Sequence, residues 1–226
     1  MNAKEAAGRA AAAHVHSGMV VGLGTGSTAY FAIQALGERV AAGLAIKSLP
    51  TSEASASQAR DLGIELVTLE QCPVIDLTID GADEIDPNLD LIKGLGGALL
   101  REKIVAEAST RQIIIADDSK VVDKLGNQAP LPVEVIPFAW PLVQTRLSEW
   151  GLQVERRLDA DGQPFTTDEG NCILDARFPH GIDDPAATDQ QLNSIPGVVE
   201  NGLFVGRTDL VLIGRDDGTC RQLDRS

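Results

Sequence analysis

The run Met19-Val20-Val21-Gly22-Leu23 is apolar from end to end and only five residues long. A strand with one wet face alternates polar and apolar side chains. This one does not, so it needs cover on both faces. The pattern recurs at Ala45–Leu49, closed by Pro50, and at Glu65–Leu69, Val74–Ile79 and Arg111–Ala116. Helical stretches lie between. An alanine-rich one spans 2–17, with Gly18 as its stop. A second runs through Ala29, Ile33, Leu36 and Val40 to Gly43. Others open at Thr51-Ser52-Glu53 and cover 97–108. Alternating short strands and helices predict an α/β class, a Rossmann-like parallel sheet with helices on both faces.

The character changes after about residue 130. A strand is expected at Leu131–Val135, a helix at Phe138–Trp150 and a short helix at Asp189–Ile195. Turn signals fall at Asp161-Gly162, Glu169-Gly170-Asn171 and Pro179-His180-Gly181. Strands are expected again at Leu203–Val205 and Leu210–Ile213, with a hairpin turn at Asp217-Gly218. The reading is a smaller α+β domain over 131–200. Residues 1–130 and 201–226 form the main one.

Composition narrows the function. The 226 residues are 43% apolar, enough for a core in one or two domains. Their net charge of −14 opposes general nucleic-acid binding and docking on an anionic membrane. No apolar run reaches the roughly 18 residues of a spanning helix, and the N-terminus lacks the apolar stretch of a signal peptide. Cys72, Cys172 and Cys220 are odd in number and far apart, which points to a reducing cytoplasm.

Four segments carry possible chemistry. Gly22-Leu-Gly24-Thr-Gly26-Ser-Thr28 lies between a strand and a helix. Glycine backbone, hydroxyls and a helix N-terminus make a phosphate cradle. The dinucleotide reading needs an acid after the second strand, where Lys47-Ser48-Leu49-Pro50 stands. Asp76 to Asp90 holds six acids in fifteen residues, with Asp80 directly after an apolar strand and Gly81 offering a tight turn. Carboxylates there suit sugar hydroxyls, acid–base work or magnesium; a solvated acidic loop reads equally well. Lys93-Gly94-Leu95-Gly96-Gly97 precedes a helix bearing Glu102. That carboxylate, if desolvated, suits proton abstraction, although Arg101-Glu102-Lys103 also reads as plain helix surface. Asp117-Asp118-Ser119-Lys120 puts another lysine at a strand end. His14 and His16 fall in the first helix and His180 in a turn; none is assigned a catalytic part.

Together the motifs Gly24-Thr25-Gly26-Ser27-Thr28, Asp80-Gly81-Ala82-Asp83-Glu84, Lys93-Gly94-x-Gly96, Arg101-Glu102-Lys103 and Asp117-x-Ser119-Lys120 resemble the ribose-5-phosphate isomerases of the A type. Leu131–Ile136, Ile195–Val199, Gly202–Phe204 and Leu210–Gly214 extend the resemblance over essentially the whole chain. It implies interconversion of ribose 5-phosphate and ribulose 5-phosphate through an enediol(ate), without metal or organic cofactor, in the non-oxidative pentose phosphate pathway. It implies Glu102 as the base, Lys93 as the cation at the enediolate oxygen, and Asp80 and Asp83 as the carboxylates for hydroxyls and ring opening. Substrate contacts fall to Thr25, Gly26, Ser27, Thr28, Gly81, Ala82, Gly94, Gly96, Lys120 and Lys4. It also implies a homodimer or higher homo-oligomer, with the phosphosugar as the small-molecule partner.

One position departs from that pattern. The family reads Lys-Gly-Gly-Gly, and here Leu95 replaces the third member; a positive φ there would strain the turn by about 1–2 kcal/mol. Two other readings remain at this level. One is a phosphosugar-sensing regulatory module, which would ordinarily add a DNA-binding segment. The other is a related enzyme such as a sugar-phosphate deaminase or a CoA transferase.

Overall fold

The computed structural model describes residues 2–224. Its first elements are α1 (Ala3–Ala12), β1 (Val20–Leu23), α2 (Ala29–Ala41), β2 (Lys47–Pro50), α3 (Glu53–Asp61), β3 (Glu65–Leu66), β4 (Leu77–Gly81), β5 (Glu84–Ile85) and β6 (Leu91–Ile92). Then come α4 (Leu99–Glu107), β7 (Gln112–Asp117), a 3₁₀ turn (Asp118–Lys120), β8 (Leu131–Val135), α5 (Trp140–Glu149), β9 (Gln153–Arg156) and β10 (Cys172–Arg177). The last are α6 (Pro185–Asn193), β11 (Val198–Asn201), β12 (Leu203–Phe204), β13 (Leu210–Gly214) and β14 (Cys220–Asp224).

The chain divides into two units. The first comprises Met1–Ala82, Arg101–Val121 and Arg207–Ser226. Its seven-stranded sheet has the order β14-β13-β7-β4-β1-β2-β3, parallel except for the antiparallel edge strand β14. Alternate strand residues serve opposite faces. Val21, Leu23, Leu77, Ile79, Ile113, Ile115, Leu210 and Leu212 pack with Ala7, Ala11, Ile33, Leu36 and Ala59 of α1, α2 and α3. Leu49, Ile75 and partly buried Val20 meet Val105 of α4 on the other side. Helices therefore cover both faces, as the unbroken apolar strands require. The strand order reverses direction between β1 and β4. In open α/β sheets, ligands sit beyond the strand C-termini at such a switch point.

The second unit comprises Asp83–Leu100 and Val122–Gly206. It holds a four-stranded antiparallel sheet, β11-β8-β10-β9, and a three-stranded one, β12-β6-β5. Its core joins Leu131, Val133 and Val135 to Val143, Leu147, Leu174 and Leu192. Between those valines, Glu134 points the other way and is buried; Thr167 and Asn171 donate to its carboxylate at 2.9 Å each. Burial pushes its pKa up.

The structure departs from the sequence reading in several places. The expected 131–200 insert lies inside the second unit, which also takes 83–100, 122–130 and 201–206, because β5 and β6 pair with β12. The first helix stops at Ala12, not Ser17. Arg39 of α2 donates to the carbonyls of Ala12 and Val15, and buried Val15 draws the chain inward. His14 and His16 therefore lie beyond the helix. Helix α6 begins four residues early, where Asp184 caps the Ala187 N–H at 2.9 Å and Pro185 takes the first turn. Strands β5, β6, β9, β10 and β11 have no counterpart in the sequence reading, whereas β14 pairs with β13 across the expected hairpin turn at Asp217-Gly218.

Candidate active site

In the first unit, β1 and β4 run side by side, with Leu23 opposite Ile79. One residue further, Gly24 meets Asp80. A side chain at position 24 would put its Cβ 2.1 Å from Asp80 Oδ1, so only glycine lets the carboxylate lie against the turn. Asp80 is fully buried. Its Oδ1 accepts the N–H of Thr25 at 3.0 Å and that of Gly81 at 2.7 Å. Gly81 closes β4 as an ordinary strand residue, so the expected tight turn there is absent. Ala82, half-buried, follows and leads to Asp83 in the second unit.

The turn is tied down from behind. The Thr25 hydroxyl lies 2.7 Å from that of Thr51 and 2.8 Å from that of Ser52, and Ser55 donates to the Gly24 carbonyl at 2.6 Å. Thr51, Ser52 and Ser55 are buried. Sequence reading missed this cluster. Its signal is a Thr-Ser-x-x-Ser run at the end of the next strand.

Gly26 and Ser27 are exposed at the front, with Thr28 half-buried at the start of α2. Thr28's hydroxyl does not cap that helix. The opening amides of a helix have no carbonyl partners within it and carry a partial positive charge, which suits an anion. Lys4 of α1 donates to Ser27 Oγ at 2.8 Å, placing a cation beside the turn. Lys4 also lines a cavity of about 580 Å³ together with Asp117, Ser119 and Arg215. Lys120 ends the 3₁₀ turn after β7, whose cap is Asp117 accepting from the Ser119 N–H at 3.0 Å.

Helix α4 reverses the usual assortment. Glu102 is 4% exposed and Lys103 is also buried, whereas Ile104 is 44% exposed. The plain-surface reading of Arg101-Glu102-Lys103 therefore fails for Glu102. Arg101 pairs instead with Glu53 of α3 at 2.9 Å.

In the second unit, Lys93 follows β6 and is 2% exposed. Its N–H donates to the Gly202 carbonyl at 2.9 Å, and its ammonium stands 5.3 Å from the centre of the Phe204 ring. The turn Lys93–Gly97 bends at Gly94 and Gly97, both with positive φ, and the Gly97 N–H closes it onto the Gly94 carbonyl at 3.0 Å. Leu95 does not carry a positive φ, so the strain considered for it is absent. Gly96 is exposed beside it. The Leu95 N–H donates to Asp83 Oδ2 at 2.9 Å.

The acidic run resolves residue by residue. Asp76 accepts the Val20 N–H at 2.7 Å. Buried Glu84 accepts three backbone N–H groups, from Gly126, Gln128 and Ala129. Asp86 accepts those of Asn88 and Asp90 and organises the β5–β6 turn, where burial pushes its carboxyl up. Asp90 accepts the Gly206 N–H at 2.8 Å. All of these acids hold backbone, Asp80 and Asp83 included, through the amides of Thr25, Gly81 and Leu95. Among the described residues, no three His, Cys, Asp or Glu side chains stand as a metal-ligand group.

Comparison with known proteins decides the family. The model of ribose 5-phosphate isomerase A (phosphoriboisomerase A) matches residues 47–218. Ribose-5-phosphate isomerase A of Bacillus mycoides is 50% identical over 96% of this chain and 98% of its own length. The chain belongs to the ribose 5-phosphate isomerase A family. The Gloeobacter violaceus member is 53% identical over 95% of this chain and 93% of its own. Two solved structures are similar. A D-ribose-5-phosphate isomerase in complex with phospho-erythronic acid has a TM-score of 0.95 and 41% identity, covering all of both chains. The Methanocaldococcus jannaschii enzyme has a TM-score of 0.93 and 41% identity, over 98% of this chain and 97% of its own. The isomerase interconverts ribose 5-phosphate and ribulose 5-phosphate. That excludes the sensor, deaminase and CoA-transferase readings. Among the described residues, no helix is long and apolar enough to cross a membrane.

Proposed function

We propose that Glu102 is the base of this isomerisation, moving a proton between C1 and C2 of the open-chain sugar phosphate. The carrying observation is its burial on a helix that exposes Ile104. A positioned base contributes about 10²–10⁴-fold. Removing the C2 proton of the aldose leaves an enediolate, whose oxygen is met by the Lys93 ammonium. Charge stabilisation of that kind is usually the larger contribution. Asp80 and Asp83 handle ring opening and the sugar hydroxyls.

The phosphate is taken by the Gly26, Ser27 and Thr28 turn with Lys4 and Lys120, and Thr25, Gly81, Ala82, Gly94 and Gly96 shape the backbone around the substrate. Gripping the phosphate supplies binding energy remote from the reacting carbons and orients them. This assignment gives the protein's global charge of −14 no part in recognition. The reaction so written needs no metal and no organic cofactor. We further propose a homodimer or higher homo-oligomer acting in the cytoplasm, the latter in keeping with three free cysteines.

The test is Glu102→Gln. Turnover of ribose 5-phosphate should fall by about 10²–10⁴-fold. Calorimetric titration with phospho-erythronic acid should still show binding. Near-normal turnover would remove Glu102 from the role.

A further inference from the structure

Arg157 follows β9 and uses four of its five N–H donors at once. Its Nε and Nη2 grip both oxygens of Asp175 at 2.9 Å and 2.5 Å. Its Nη1 donates to the carbonyls of Gly94 and Leu95 at 3.0 Å and 2.9 Å. The side chain is only 11% exposed. Its platform is rigid. Asp175 lies on β10, which is paired on both sides, and the Arg157 N–H donates to the Ile173 carbonyl at 2.9 Å. The guanidinium stands 5.9 Å from the centre of the Phe165 ring. That ring occupies the space a side chain at Gly97 would fill, with Phe165 Cζ 2.4 Å from the would-be Cβ.

The Gly94 carbonyl and the Leu95 N–H belong to one peptide plane. Arg157 holds the carbonyl end, and Asp83 accepts from the N–H end. A flip of that peptide would take the Gly94 carbonyl from the guanidinium and aim it at the Asp83 carboxylate. Glycines 94 and 97, both at positive φ, are the softest backbone in the turn. The turn therefore has its orientation set from outside. An ion pair serving stability alone would need only the two bonds to Asp175.

We propose that Arg157 is a positioning residue for the isomerisation: by pinning the 94–95 peptide it fixes Asp83 and the backbone leaving Lys93. Asp175 and Phe165 hold it for that task. The inference rests on the roles given above to Lys93 and Asp83.

The experiment compares Arg157→Ala and Arg157→Lys by steady-state kinetics, thermal unfolding and added guanidinium. Arg157→Ala should lower kcat by about 10²-fold with KM nearly unchanged, as expected when a reacting group is misplaced by about an ångström. Guanidinium in the medium should restore part of that loss. Arg157→Lys keeps the charge but brings three donors to four acceptors, without the planar fork that grips Asp175. Loss of one charged hydrogen bond then predicts a fall of about tenfold. If Arg157→Ala does not fold, Arg157→Lys decides alone. Parental kcat in either variant overturns the proposal. So does a loss that follows the folded fraction and is not rescued by guanidinium. A Lys93→Ala variant separates the two readings: if it keeps parental kcat, the role of Lys93 is wrong whatever Arg157 does.

Discussion

The two glycine-rich turns solve opposite problems. Gly24–Thr28 is fastened from behind by the Asp80 carboxylate and the hydroxyls of Thr51, Ser52 and Ser55, while its forward end carries helix amides and Lys4. Lys93–Gly97 is fastened by a guanidinium on its carbonyls, while Asp83 takes one of its amides. Glycine announces an unusual backbone in both. It does not say which polar group of that backbone is left for a ligand; the residues behind the turn do.

The contrast can be broken at its strongest point. Gly24→Ala would drive a Cβ into Asp80. We expect kcat to fall by about 10²-fold through displaced groups and stability to drop by about 1–3 kcal/mol from overpacking. Urea unfolding and steady-state kinetics read both. A parental kcat would show that the first turn does not depend on its carboxylate. A smaller effect sharpens the anion side. Lys4→Ala removes a charged donor beside Ser27, so KM for ribose 5-phosphate should rise about tenfold with kcat little changed. A fall in kcat with constant KM would move Lys4 from binding to chemistry. The smallest effect is expected at Leu95→Gly. Leu95 is free of positive φ, so glycine relieves nothing and adds unfolded-state entropy, lowering stability by about 0.5–1 kcal/mol. A rise in melting temperature would mean the second turn is strained after all.

Legibility followed the range of the interactions. The first unit could be read because its signals are local: apolar strands, glycine turns, and a switch point that puts Gly24 beside Asp80. Glu102 could be named by resemblance, yet its burial had no signature inside an Arg-Glu-Lys triplet. The small sheet was read poorly. Strand β9, Gln153–Arg156, is short, polar and only partly covered, and β10 hides its register in pairings with β8 and β9. Arg157 was invisible, since its partners are 18 and about 60 residues away. The acidic run misled in the other direction. Composition counts carboxylates equally, whereas Glu84 and Asp86 spend theirs on backbone amides.

Helix α4 has a consequence for how this chain can change. Charged groups held away from water cost free energy unless they are paired, so a helix that conceals Glu102 and Lys103 while showing Ile104 depends on the partners of both. An apolar replacement on its inner side would leave those partners unmatched, and at Glu102 it would also remove the base proposed above. Stability and, on the proposed role of Glu102, activity thus constrain the same positions of this one segment. A lineage moving to hotter surroundings would have to gain its robustness elsewhere, on surfaces far from α4.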